Sequence, residues 1–182
     1  MDQAHSLRKM VFKNYRLIFV LTCAYYKDAD SFCKKLARRL DRAVFIDTES
    51  VEEAKTFISK TEYEYYIFAA KEVNFVEQFA NHNIDVITLT DDSNESVLGI
   101  YSQIKLLLMR NIFNANKNTV KLVVGPVETK SAAERTVSNI SSTVRAYLKH
   151  ELELLGWFYD KKDGIGDIGY RYLESGGVHV EN

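Results

Sequence analysis

Between Tyr15 and Pro126 the chain alternates short, continuous apolar runs with longer segments whose apolar residues recur every three or four positions. The runs are RLIFVLTC, AVFID, YYIFAA, IDVITLT and VKLVVGP. None shows the in-out alternation of a strand with one wet face, so each is expected to be covered on both sides. Parallel strands need a crossover between them, and a helix is the usual one. The pattern therefore predicts an α/β chain: a three-layer α/β/α sandwich around a five-stranded parallel sheet.

The intervening segments carry helix signals. DADSFCKKLARRL puts Phe32, Leu36 and Leu40 on one stripe behind Asp28, a residue suited to an N-cap. TESVEEAKTFISK offers Thr48 or Ser50 as its cap. Further helices are expected through VNFVEQFAN, over 93–115, and from about Ala132 to Leu155, where Val137, Ile140, Val144, Leu148 and Leu152 repeat at helical spacing. Beyond that the composition changes, with five of the eight glycines following Gly156 among clustered aromatics. Residues 1–155 are thus expected to form the domain and 156–182 a Gly/aromatic-rich C-terminal extension, as a hairpin, a docking strand or an ordered tail.

Charge narrows the partners. A net charge of -1 and a pI near 6.4 supply no general field for nucleic acid or anionic membrane, so both are disfavoured and any such contact must be local. The densest basic run, KKLARR with Arg42, is bounded by Asp28, Asp30 and Asp41 and reads as a solvated helix face. LIFVLTCAYY has the charge-then-apolar order of a secretory leader but is short, and it reads as the first strand. No run approaches the roughly 20 apolar residues that span a membrane. With Cys23 and Cys33 placed as reduced core residues, a soluble, cytoplasmic protein is expected.

Motifs for chemistry are sparse. GPVETKS lacks the second glycine of a phosphate-binding loop, which leaves Lys130 as a solvated residue. The four histidines are scattered, the cysteines form no C-x-x-C, and no nucleophile elbow is present. No metal, cofactor or catalytic residue is expected. In an open parallel sheet ligands lie beyond the carboxyl ends of the strands, which makes Thr22, Asp47, Thr90, Asp91 and Gly125 the candidate ligand rim. The competing role for Thr90 is to cap the next segment together with Asp91, Asp92 and Ser93. The long helical segment is apolar over more of its circumference than one sheet contact needs. Tyr101, Ile104, Leu108, Ile112 and Phe113, joined by Trp157, are therefore the candidate interaction surface.

Three stretches resemble the receiver domain of bacterial response regulators, a flavodoxin-like fold, across roughly residues 15–150. IDVITLTDDSNESV is similar to its fourth strand and the loop beyond, VVGPVETKSAAERTVSNISSTVRAYL to its fifth strand, proline turn and last helix, and AVFIDTESVEEAKTFI to its second strand and helix. A phosphorylatable receiver carries a carboxylate at the end of strand three, where Ala69 and Ala70 stand here, and an acidic pair near the end of strand one, where Thr22 and Cys23 stand. Gly125 replaces the lysine before the proline. The resemblance implies a degenerate pseudo-receiver without phosphoryl chemistry: a non-catalytic regulatory or assembly module that meets a protein partner and forms a homodimer. The alternative comes from AYYKDADSFCKKLARRL and VFID, which are similar to the opening of Toll/interleukin-receptor-like domains, some of which cleave NAD. That likeness implies a nucleotide-binding or NAD-cleaving enzyme at the same rim, with Glu72 or Glu77 as its acid.

Overall fold

The computed structural model describes residues 15–112, 119–159 and 165–175. Phe113 lies outside them. The elements follow in the order β1 (Arg16–Leu21), α1 (Ala29–Arg39), β2 (Ala43–Phe45), α2 (Val51–Lys60), β3 (Tyr65–Ala70), α3 (Val73–Glu77), β4 (Ile84–Thr90), α4 (Asn94–Met109), β5 (Val120–Val127), α5 (Lys130–Thr143), β6 (Leu152–Tyr159) and α6 (Ile168–Ser175). The strands form one all-parallel sheet in the order β2-β3-β1-β4-β5-β6.

The α/β layering matches the expectation, with two corrections. The sheet has six strands rather than five, because the helix expected to reach Leu155 stops early. Beyond α5 one π-turn covers Val144–Leu148, Lys149 takes a left-handed φ of 54°, and Leu152–Tyr159 pairs with β5. Leu148, Leu152 and Leu155 keep helical spacing across this break, and spacing alone does not separate a short apolar strand from a buried helix. The sixth strand therefore straddles the expected boundary at residue 155. The second correction concerns order. A flavodoxin-like sheet runs 2-1-3-4-5, whereas here β3 sits between β2 and β1.

The connections explain the layers. From β1 the chain moves toward one edge to reach β2, and every later crossover moves the other way. Right-handed crossovers in opposite directions put their helices on opposite faces. Accordingly α2 to α5 cover one face, where Phe19, Phe68 and Phe79 pack ring on ring with Phe75. The other face is covered by α1 and α6 through Phe32, Leu36, Ile168 and Tyr172. Helix starts use short polar caps: Ser50 accepts from Glu53 N, Ser93 from Ser96 N and Thr129 from Ala132 N. Asp28 occupies the position before α1, but with φ 68° and no side-chain cap bond.

Candidate functional site

The winding direction reverses at β1, so the carboxyl end of β1 and its neighbours β3 and β4 is where an open sheet would offer a crevice. Here that place is packed. Gly99 of α4 lies against the chain just beyond β1, and a Cβ there would come 2.6 Å from Cys23 Cβ and 2.8 Å from its Sγ. Glycine is what lets the helix approach so closely. The Cys23 thiol in turn points at the Ser96 carbonyl at 3.7 Å. At the next strand, a Cβ on Gly125 would lie 2.6 Å from the Phe158 ring and 2.7 Å from its carbonyl oxygen. The Tyr26 hydroxyl donates to the Gly125 carbonyl at 2.8 Å.

The five rim residues accordingly end up in different settings. Thr22 and Thr90 are buried and bonded within the chain, Thr22 Oγ1 toward the Ala70 carbonyl at 3.5 Å and Thr90 Oγ1 to the Asp91 carbonyl at 3.1 Å. Asp91 is half-buried and accepts from both Ser93 N and Ser93 Oγ, at 2.9 and 2.6 Å, which orients the serine that caps α4. Gly125 is buried beneath Phe158, and only Asp47 is exposed. Burial, then the nearby carboxylates of Asp91 and Asp28, hold the Tyr26 hydroxyl above the ordinary tyrosine range. Burial likewise raises the Cys33 thiol, which removes it as a nucleophile.

The interaction-surface residues also divide. Ile104 and Ile112 are core residues, packed beneath α4 rather than presented to a partner. Tyr101, Leu108 and Trp157 are half-buried against the same core. The exposed apolar residues of α4 are instead Leu98 and Met109, each 67% exposed, with Leu106 beside them. They are eleven residues apart, which at 3.6 residues per turn returns to the same side of the helix. Glu77 is paired with Arg110 at 2.8 Å on the α3–α4 surface, and Glu72 precedes α3 in the open.

Sequence reading missed the polar network at the opposite end of the sheet. Asp85, on β4, accepts from the Tyr172 hydroxyl at 2.6 Å and from Arg16 Nη1 at 3.1 Å, joining β1, β4 and α6. Lys121, on β5, is 3% exposed and pairs with Glu153 of β6 at 3.5 Å. The available signal was a charged residue inside an apolar run, as in IDVITLT, VKLVVGP and LELLGW. Buried charges are held only when paired.

Among the described residues no cluster of three or more His, Cys, Asp or Glu side chains could hold a metal ion, and no helix is long and apolar enough to cross a membrane. Cys23 and Cys33 are free and buried. No protein-family model matches the chain, and no curated protein matches it.

Proposed function

We propose that the chain is a non-catalytic interaction module, pseudo-receiver-like in working by surface contact rather than phosphoryl transfer, that serves regulation or assembly in a reducing cytoplasm. It meets a protein partner and pairs with a second copy of itself along the outer face of α4. The observation that carries this reading is α4 itself, apolar toward the sheet at Ile100, Ile104 and Leu107 and apolar again outward at Leu98 and Met109. A helix with two apolar faces has a second surface to cover. The close packing at Gly99 and Gly125 supports the same reading, because it occupies the place where an enzyme of this architecture would seat its substrate.

Light scattering over a hundredfold range of protein concentration tests it. The expected mass is that of a dimer, falling to a monomer in Leu98→Lys and Met109→Lys and unchanged in Thr90→Val. A dimer that survives both lysine variants would remove α4 from the interface. A nucleotide that binds and is lost on Asp91→Asn would replace the reading with an enzyme.

A further inference from the structure

We propose that the outer ridge of α1, together with Tyr170 of α6, binds single-stranded nucleic acid. The sequence leaves only a local route to phosphate, and the fold builds one. Lys34, Lys35, Arg38 and Arg39 are all exposed on α1, and no acidic residue lies between Asp30 and Asp41. Among the described residues none of the four is in an ion pair, whereas Arg42 just beyond the helix is held by Glu64 at 3.1 Å. Lys34 also lies over the Phe45 ring, its Nζ 5.8 Å from the centroid.

The second component comes from α6. A Cβ on Gly169 would lie 2.8 Å from Arg39 Cβ, so α6 rests against α1 at the last turn of the basic ridge. The next residue, Tyr170, is 65% exposed. A row of exposed cations outside any ion pair, beside an exposed aromatic ring, is the chemistry of single-strand binding: charge tracks the backbone and the ring stacks a base. The exposed residues of the ridge are charged, which suits a single strand better than a lipid surface, since a membrane would need apolar groups along the same face.

Fluorescence anisotropy of the full chain with end-labelled oligo-dT and oligo-U, about twenty nucleotides long, tests the proposal. Binding is expected at ~50 mM salt and should weaken about 50-fold at ~200 mM, if four phosphates are neutralised with a slope of about -0.7 each. Arg38→Glu should weaken binding at least about tenfold and flatten the salt dependence. Tyr170→Ala should weaken it about fivefold or more with the salt slope intact. Circular dichroism establishes that each variant is folded. The proposal is overturned by no binding at low salt, by folded variants that bind as well as the parent, by equal affinity for duplex, or by binding to phosphatidylserine vesicles with the oligonucleotides inert.

Discussion

The two ends of the sheet are built from opposite materials. At the carboxyl ends of the strands, where doubly wound proteins keep their chemistry, the chain uses close contacts: Gly99 on Cys23, Phe158 on Gly125, and threonine hydroxyls bonded to backbone carbonyls, Thr22 to Ala70 and Thr90 to Asp91. At the amino ends it buries charge, with Asp85 between Arg16 and Tyr172 and Lys121 against Glu153. The difference teaches where polar groups are spent. The charged groups at the amino ends hold β6 and α6 onto the sheet, and the hydroxyls and carboxylate at the rim cap and close it.

The largest effect should come from breaking the buried end. Asp85→Ala leaves the Tyr172 hydroxyl without its acceptor and Arg16 without this carboxylate, and should cost about 3–5 kcal/mol in urea unfolding. A loss below about 1 kcal/mol would mean that the network is a solvated pair like any on the surface.

Tyr172→Phe keeps the ring in the core and removes one bond to a charged acceptor, at an expected cost of about 1.5–3 kcal/mol. It also sharpens the contrast with pH. Burial, then the adjacent Asp85 carboxylate, raise the Tyr172 hydroxyl well above its ordinary value. A group whose folded pKa is raised contributes stability fully below its unfolded value, about 10 for tyrosine, and loses it as pH rises further. The melting temperature should therefore fall above about pH 10, and less steeply in Tyr172→Phe.

At the rim, Gly99→Ala should gain about 1 kcal/mol in helix propensity and lose about 1–3 kcal/mol to overpacking. The net result is a loss that Cys23→Gly restores and Cys23→Ala does not, because the nearest obstructing atom is the cysteine Cβ. Smallest of all, Thr90→Val should change stability by less than about 1 kcal/mol, since among the described residues its hydroxyl bonds only the neighbouring carbonyl.

Much of the layering was legible in the sequence because continuous apolar strands and striped helices follow directly from burial on two faces. Strand order was not: nothing in AVFID or YYIFAA states which of them sits beside β1, since that depends on contacts far apart in the chain. The sixth strand was hidden by leucines that keep helical spacing through Lys149 and into LELLGWFY. For the rim, Thr22, Thr90 and Gly125 were placed by strand ends alone. That Gly125 carries Phe158, and that Gly99 meets Cys23, needed the packing of distant segments. Ile104 and Ile112 were misplaced for a related reason. A wide apolar arc does not reveal which side the sheet takes, and the sheet takes theirs, leaving Leu98 and Met109 outside.

The most direct measurement of the central claim is a thermal-shift panel on the purified chain with NAD, ATP, GTP, cyclic dinucleotides and Mg²⁺, because a ligand that binds only the folded state raises its apparent stability. A closed rim predicts no shift with any of them. A reproducible shift that disappears in Asp91→Asn, with the variant still folded, would contradict the account and make the end of β4 a ligand site.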